Sequence, residues 1–522
     1  MRTTTSTATK PGPMHSWRER GNGHAPRRAP ILLAIIATLV VGGLLDRIGG
    51  ASQVSQVSSV EPVPVAAPPQ ALSSSWFCAG ATDNGTGADP VDAPGKVVIA
   101  NSGATAASGD VTLVPNQGAD VTVPITVASD SSETVNESVR GGSKWIGSIV
   151  DIDAGAVAVA QEVDGSLGRT SSPCATAGSS TWYFATGFTL INAGVELSLL
   201  NPYPSDSVVD LSFTTDQGRE APEDFQGLVV PARGMLSVDL SSHLRRRQAI
   251  ATTVTARTGR VVAWKTDWVL APSPGSVLLG TPAANDPLAD PAWPEKGLTV
   301  TLGAPSAGTT WTWPDGIAGD GVDERYVIYN PGPTTADVRL SVRLAQGDAE
   351  PFDLSVGPYQ VMPVISEQQA RIPSGVAHSA EVESLNGVPV VAERWISAGG
   401  PSPWQGLGEL PGGRIAADGW LVPAAQNDSD HDGYIVLYNP GAEPVQVKFR
   451  VLSEDQQVPI NGLAPIVVGA GQRVAVHLNQ YLGAFGAPLV VNATGPIYVE
   501  ADSYGSNGTG GVSLSFGVPL TS

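Results

Sequence analysis

The chain has 522 residues, of which 42% are hydrophobic, 60 are glycine and 43 are proline. Glycine and proline make up about a fifth of the chain, against a usual share of about 12%, which favours short strands joined by turns over long helices. The formal net charge of −20 argues against nucleic acid as a partner, because non-specific nucleic-acid binding needs a basic surface. The apolar fraction excludes a wholly disordered chain.

The N-terminal residues have the order of an export signal. Residues 1–30 form a basic tail with a net charge of +5, and an uncharged apolar run follows from Ile31 to Leu45. As a helix this run would span about 22 Å, which is short for a hydrocarbon core of about 30 Å. We interpret residues 31–48 as a signal-anchor helix with a cytoplasmic tail, or alternatively as a cleaved signal peptide. The expected location is the cell membrane, single-pass with an extracytoplasmic C-terminal region, or alternatively outside the cell after signal cleavage.

Residues 49–75 are rich in proline and serine. Such a composition predicts an extended, semi-rigid linker between the membrane segment and the remaining chain.

The rest of the chain repeats four times. Each repeat opens with a tryptophan and continues to a strand-like run that ends in asparagine. The tryptophans are Trp76, Trp182, Trp311 and Trp420, and the asparagines are Asn101, Asn201, Asn330 and Asn439. The spacing between the two is 19 residues in the last three repeats and 25 in the first. The repeats predict β units at residues 76–175, 176–284, 285–412 and 413–522.

The second half of each repeat is also strand-like. Runs such as residues 445–451 alternate apolar and polar residues, which predicts one buried and one exposed face. A later strand ends near Gln161, Lys265, Glu393 or Glu500. About seven strands per unit predict an all-β chain of four tandem immunoglobulin-like sandwiches. The alternative is a propeller-like or continuous β array, in which each opening Trp strand completes its neighbour.

Three of these motifs also carry a family resemblance. Trp-Tyr-Phe-Ala (182–185), Asn-Pro-Gly (330–332) and Val-Val-Ala-Glu-Arg-Trp (390–395) resemble a repeat of exported proteins in high-GC bacteria. Residues 76–522 are similar to an actinobacterial family of unknown function that carries this repeat. The resemblance implies architecture and an envelope location but no activity. The chain departs from the pattern at Ser102, which follows Asn101, and at Trp264, where other units have glutamate.

Cys78 and Cys174 are the only two cysteines. They flank the first unit, and an oxidising compartment outside the cytoplasm would join them. The disulfide would close a loop of about 97 residues and contribute about 4 kcal/mol to stability in the chain-entropy model.

A short acidic motif resembles the first half of a calcium loop. Asp428, Asp430 and Asp432 alternate and Gly433 follows them, a spacing that can wrap a hard cation. The residue in the twelfth position, Asn439, has no carboxylate, so the motif is not an EF-hand. Calcium on a hairpin loop stays a hypothesis beside a solvated acidic loop, and no other cofactor is expected.

No catalytic motif stands out in the sequence. Glu393 and Glu500 occupy equivalent positions in two units, whereas an active site is built once, so recurrence favours a structural role for both. The histidines have no metal-ligand spacing, and no nucleophile elbow or phosphate-binding loop is present. The repeated tryptophans are expected in the core. Trp293, Trp313, Trp395 and Trp404 lie nearer predicted loops, where exposed rings could stack on sugars.

The sequence therefore predicts a non-enzymatic, extracytoplasmic envelope protein that binds or scaffolds through its repeats. The expected partners are cell-wall glycan or envelope proteins, and the sequence does not set the oligomeric state. One alternative is a carbohydrate-active enzyme or carbohydrate-binding protein with a site between units. It predicts a cleft with two carboxylates and an exposed tryptophan at one junction only. The other alternative is a calcium-stabilised adhesin.

Overall fold

The computed structural model describes residues 63–83, 91, 93–139, 144–270, 294–344, 347–452, 458–460, 462–484, 486–506 and 508–521. The predicted basic tail, the predicted signal anchor and residues 49–62 of the predicted linker lie outside the described residues. None of the helices within these ranges has the length and apolar character that a bilayer span requires.

Unit 1 has eight strands among the described residues, arranged in two antiparallel sheets. The first, sixth, third and fourth strands pair in that order in the Trp sheet, which is named for Trp76 on its first strand. The fifth, second, seventh and eighth strands pair in the axial sheet. The strands are β1 Ser74–Thr82, β2 Gly95–Asn101, β3 Ala107–Pro115, β4 Val121–Val127, β5 Ser131–Asn136, β6 Trp145–Ile152, β7 Val157–Gly165 and β8 Gly168–Pro173.

Unit 2 repeats this order, with two short strands sharing the fourth position. Its strands are β9 Thr181–Phe184, β10 Ala193–Asn201, β11 Ser207–Thr215, β12 Gly218–Glu220, β13 Leu228–Val230, β14 Gly234–Asp239, β15 Ile250–Thr258, β16 Val262–Val269 and β17 Gly297–Leu302. Short 3₁₀ turns occur at Glu223–Phe225 and Leu240–Ser242. The sequence assigns residues 297–302 to the third unit, but β17 pairs with β16. The junction between units 2 and 3 therefore lies after Leu302.

Unit 3 again has eight strands within the described ranges and the same two sheets. Its strands are β18 Thr310–Trp313, β19 Val322–Asn330, β20 Ala336–Leu344, β21 Phe352–Val356, β22 Gln360–Ile365, β23 His378–Ser384, β24 Val391–Ala398 and β25 Gly406–Pro411. A 3₁₀ turn at Ser366–Gln368 follows β22.

Unit 4 differs by having one long strand, which supplies both the sixth and the seventh positions and so crosses from one sheet to the other. Its strands are β26 Ala417–Val422, β27 His431–Tyr438, β28 Val445–Val451, β29 Val458–Pro459, β30 Ile466–Val468, β31 Arg473–His477, β32 Leu489–Gly505, β33 Val512–Phe516 and β34 Val518–Pro519. The short helix α1, Asn479–Leu482, follows β31.

The structure confirms the all-β fold of repeated two-sheet sandwiches. Each opening Trp strand pairs with the sixth strand of its own unit, as β9 does with β15, so it does not complete the neighbouring unit. Each unit also has an eighth strand beyond the seven expected, and this strand organises the contacts between units.

The eighth strands connect the four units into a closed ring. β8 contacts β17 and β33, and β25 contacts the same two strands. Each of these strands therefore has neighbours from two other units, and unit 4 returns to unit 1. The four units therefore form a cyclic array and not a linear string of sandwiches.

Glycines allow the eighth strands to meet at one end of the ring. A Cβ built on Gly168 would lie 3.0 Å from the Cα of Gly511, and one on Gly406 would lie 3.2 Å from the backbone of Gly511. All three have φ values between 132° and 143°, a backbone conformation that residues with a side chain rarely adopt. Gly297 lies against the backbone of Leu407 in the same region.

The two sheets of each unit have different burial patterns. In the Trp sheet, β20 alternates buried and more exposed residues, as the sequence predicts. In the axial sheet every residue of β10, β19 and β24 is buried, although β19 contains Asp323, Glu324 and Arg325. Neighbouring units cover the outer face of the axial sheet, so charged residues there need partners across a seam.

The end of the predicted linker is part of the fold. Ala66 is 1% exposed, its N–H donates to the carbonyl of Pro519 over 2.9 Å, and its carbonyl accepts from the Thr521 hydroxyl over 3.0 Å. The N–H of Ala156 donates to the carbonyl of Ala67 over 2.8 Å. The linker predicted for residues 49–75 is therefore corrected, because its C-terminal part joins unit 4 to unit 1.

Candidate functional site at the seams between units

The asparagine that ends each second strand makes the same hydrogen bonds in all four units. The side-chain amide of Asn330 donates to the carbonyls of Thr334 and Val356 over 2.8 and 3.0 Å. Its side-chain oxygen accepts from the N–H of Gly332 over 3.0 Å. The remaining asparagines, which are at most 1% exposed, make the corresponding bonds; they are Asn101, Asn201 and Asn439. These residues hold the turn and the fourth strand together within one unit.

The opening tryptophans are core residues. Trp76, Trp182, Trp311 and Trp420 are at most 2% exposed. The indole N–H of Trp182 donates to the carbonyl of Val261 over 2.7 Å, and equivalent bonds join Trp311 to Val390 and Trp420 to Ile497. These side chains are part of the buried core.

The seam between units 2 and 3 contains a buried lysine. Lys265 on β16 is 1% exposed, and its Nζ lies 2.6 Å from Glu409 Oε1 on β25 and 3.0 Å from Asp267 Oδ2. It also donates to the carbonyl of Thr186 over 2.7 Å. The N–H and hydroxyl of Thr186 donate to Glu393 Oε2 over 2.9 and 2.6 Å. One ammonium group therefore joins carboxylates of two units.

Burial changes the protonation of this cluster. Desolvation raises the pKa of Asp267 to about 8, and the neighbouring Glu409 adds to the rise while Lys265 opposes it. Desolvation also raises the pKa of Glu409 to about 7 against the opposing effect of Lys265. The cluster therefore changes charge near neutral pH.

The seam between units 3 and 4 contains a buried arginine. Arg394 on β24 is fully buried, and its guanidinium lies 3.1 Å from Glu500 Oε1 on β32. It also donates to the carbonyl of Asp315. The N–H of Asp315 donates to Glu500 Oε2 over 3.2 Å, and Asp502 lies beside the pair, with its pKa raised by burial and by Glu500.

This network extends into unit 3. Glu324 Oε2 lies 3.0 Å from His378 Nε2 and accepts a bond of 2.7 Å from the Ser366 hydroxyl. Burial opposes the ionised form of Glu324, but His378 outweighs it and lowers its pKa to about 2. A further ion pair joins Arg473 of unit 4 to Asp315 of unit 3.

The recurring glutamate has one geometric role. The loop residue four positions after the opening tryptophan, Thr186 or Asp315, donates its N–H to the glutamate of the next unit, Glu393 or Glu500. At the seam between units 1 and 2 the corresponding residue is Gly80, which lies within β1, and its carbonyl accepts from the Thr266 hydroxyl over 3.0 Å. The glutamates are therefore seam residues.

The seventh strand of unit 1 carries the neutral Gln161 at the position that Lys265 and Arg394 occupy in units 2 and 3. Gln161 donates to the buried Glu137 over 2.7 Å, and Ser148 donates to the same carboxyl over 2.5 Å. Burial raises the pKa of Glu137 to about 7, although both hydrogen bonds oppose this. The unit is also cross-linked, because Cys78 on β1 forms a disulfide with Cys174, just after β8.

The seam between units 4 and 1 closes the ring with exposed and half-buried ion pairs. Arg169 on β8 lies 2.5 Å from Asp428 and 2.6 Å from Asp164, and Arg450 pairs with Asp130. Arg169 and Asp428 border a polar cavity of about 270 Å³, and Arg450 borders a second cavity of about 430 Å³.

The three aspartates of the calcium hypothesis do not converge. Asp428 bonds to Arg169 and His431, and Asp432 lies 3.1 Å from His477 Nε2. Burial raises the pKa of Asp428, but bonds from His431, the Asp430 N–H and Arg169 outweigh it and lower the pKa to about 2. Within the described ranges no group of three or more histidine, cysteine or acidic residues is arranged to hold a metal ion. The geometry gives calcium no support.

A small apolar cavity of about 110 Å³ lies where the eighth strands end. Its lining includes Pro173, Leu302, Pro411 and Phe516. Val63 and Pro64 of the predicted linker also border it, so the linker forms part of the cavity wall.

Two of the loop tryptophans proved to be core residues. Trp313 and Trp395 are 0% and 4% exposed, and Trp293 lies outside the described residues. Trp404 is half-buried and stacks on Tyr504, with ring centroids 4.3 Å apart. Sequence reasoning missed Glu137, Glu409 and this aromatic contact. The available signal was a charged residue inside an otherwise apolar strand, as at Glu409.

Comparison with known proteins identifies a family. Residues 150–414, about half of the chain, match the family described as "Family of unknown function (DUF5719)". The chain belongs to this family. The match runs from the end of unit 1 through units 2 and 3, and it confirms the predicted membership of an uncharacterised family. No curated protein matches the chain.

Three solved structures that match this DUF5719 protein have low TM-scores. The crystal structure of Thermotoga maritima 1070 is 22% identical, covers 21% of this chain and 95% of its own, and has a TM-score of 0.19. A Salmonella alpha-2-macroglobulin reacted with methylamine is 10% identical, with 87% of this chain and 40% of its own covered and a TM-score of 0.14. The arabinofuranosyltransferase AftD from Mycobacteria is 8% identical, with 77% and 37% covered and a TM-score of 0.12. Such scores do not establish a shared fold.

Proposed function

We propose that this chain is a non-enzymatic, extracytoplasmic envelope protein that presents binding surfaces on a rigid ring of four β-sandwich units. The observation that carries the proposal is that charged residues of the repeats are buried between neighbouring units. Glu393, Glu500 and Arg394 are fully buried and join neighbouring units. These residues therefore fix the ring, and the loops at its faces are left for recognition.

The location rests on the disulfide and on the N-terminal sequence. A disulfide between Cys78 and Cys174 persists in an oxidising compartment and is rare in the cytoplasm. The basic tail and the apolar run from Ile31 to Leu45 have the order of an export signal. Both support a chain whose C-terminal region lies outside the cytoplasm, held to the membrane by its N-terminal segment.

The partner is tested with the full chain, tagged at its C-terminus and recovered from envelope extracts of its host. We expect an envelope protein or a cell-wall glycan fraction to be recovered with it and to be absent from an untagged control. Recovery of neither would contradict the proposal. Alkylation before and after reduction tests whether the chain lies in an oxidising compartment. An oxidised Cys78–Cys174 pair resists alkylation until it is reduced.

A further inference from the structure

Four aromatic rings form a patch at the seam between units 3 and 4. Trp404 of unit 3 stacks on Tyr504 of unit 4, and Tyr434 stacks on His477 with centroids 4.6 Å apart. Tyr434 and Tyr504 meet edge to face at 6.0 Å. We call Trp404, Tyr434, His477 and Tyr504 the seam aromatic patch.

The patch is partly open to solvent and has polar groups at its edge. Trp404, Tyr434 and His477 are half-buried, whereas Tyr504 is buried beneath Trp404. Asp432, whose side chain is 39% exposed, lies 3.1 Å from His477. The amide of Gln480 lies 3.3 Å from the other ring nitrogen of His477. Ring faces and planar hydrogen-bonding groups therefore occur side by side.

The same positions carry other chemistry in the other units. Tyr434 pairs with His477 across β27 and β31. The structurally equivalent pairs are Arg325 with Ile365, Glu196 with Asp239 and Lys96 with Asn136. The fold therefore does not require aromatic rings at this position, and among the described residues this pair is aromatic only in unit 4.

The chemistry of the patch fits an uncharged sugar. The C–H faces of a pyranose or furanose ring pack on aromatic rings, and its hydroxyls bond to carboxylate and amide groups such as those of Asp432 and Gln480. A protein with a net charge of −20 repels anionic polymers. We propose that the seam aromatic patch binds an uncharged oligosaccharide, with Trp404 as the stacking platform. This inference rests on the proposed binding function.

Binding is tested with the full chain and a panel of neutral glucan, mannan, galactan and arabinan oligosaccharides, with polygalacturonate as the anionic comparison. We expect saturable binding of at least one neutral oligosaccharide by calorimetry and saturation-transfer NMR. Trp404→Ala should weaken that binding by about tenfold or more, the loss expected for a stacked ring. Asp432→Asn should weaken it less, since the ring faces remain.

The control is Tyr359→Asn, which removes a half-buried ring elsewhere on unit 3 at a position of positive φ that asparagine tolerates. It should bind like the wild type. The proposal is overturned if no neutral oligosaccharide saturates, if only polygalacturonate binds, or if folded Trp404→Ala and Asp432→Asn both keep full affinity. One outcome separates this proposal from the proposed function. If the wild type binds no oligosaccharide but Trp404→Ala still recovers an envelope protein, the proposed glycan site is wrong and the proposed function stands.

Discussion

The asparagine turns and the seventh strands both recur in all four units, but only the turns keep their chemistry. Asn330 and its three equivalents make the same bonds everywhere. The seventh strands instead present Gln161, Lys265, Arg394 or Glu500 to different partners. A turn needs only its own unit, whereas each seam joins two different units. At the seams between units 2 and 3 and between units 3 and 4, this divergence gives each seam its own ion-pair partners.

Breaking a seam should have the largest effect. Arg394→Met leaves Glu500 and Asp502 buried without their cation, and we expect it to lower the free energy of unfolding by about 3–5 kcal/mol. Denaturant unfolding measures this loss. The matched control is Arg339→Met, because Arg339 pairs with Asp353 on the surface and should cost little. Equal losses in the two variants would contradict the role of the seam.

Unit 1 lacks a buried cation on its seventh strand and has a disulfide. Cys78→Ser combined with Cys174→Ser should lower the free energy of unfolding by about 2–4 kcal/mol, because the unfolded chain regains the entropy of a long loop. Denaturant melts of the oxidised wild type, the reduced wild type and the double variant measure it. A stability unchanged on both reduction and substitution would show that the disulfide does not support this unit.

The turns should respond alike in different units. Asn330→Ala and Asn439→Ala each leave several buried carbonyls without a donor, and we expect each to cost about 2 kcal/mol. The exposed Asn386 donates to the carbonyl of Thr335, and Asn386→Ala serves as the control with a smaller loss. A large difference between the two buried asparagines would contradict the equivalence of the turns.

The seam between units 2 and 3 should depend on pH. Asp267 and Glu409 hold protons in the folded state up to pH values of about 8 and 7 that they lose near pH 4 when unfolded. Since the folded state binds more protons in this window, stability falls as the pH rises from about 4 to 8. Glu409→Gln should make the fall in melting temperature across that range less steep, although Asp267 and Glu137 still titrate there, and an unchanged slope would contradict the assignment. The stability that comes from the ionised Glu324 is lost only as the pH falls below about 4 and through about 2.

Much of the fold could be predicted from the sequence because its signals are local. Alternation in runs such as β28 reports a half-buried sheet, and the tryptophan-to-asparagine spacing reports the unit. The eighth strands could not be assigned from local signals. β17 reads as the start of the third unit, since it precedes Trp311 along the chain, but its hydrogen bonds are to β16.

The candidate site was less predictable because its contacts join distant parts of the chain. The role of Glu393 as a structural anchor followed from its recurrence, but its partner, Thr186, is 207 residues away. The sequence points to Trp404 as a candidate for sugar stacking but not to Tyr434 or Tyr504, because their strands look like ordinary core strands.

The sequence by itself determined the repeat, the strand pattern, the only available cysteine pair and the charge division between residues 1–30 and the rest of the chain. Each of these depends on residue type and short spacing. Only the tertiary structure decided that the units close into a ring, that the linker joins unit 4 to unit 1, and that charged residues in β16 and β24 lie in seams. These outcomes depend on which surfaces meet after folding, because a buried charge is stable only beside its partner.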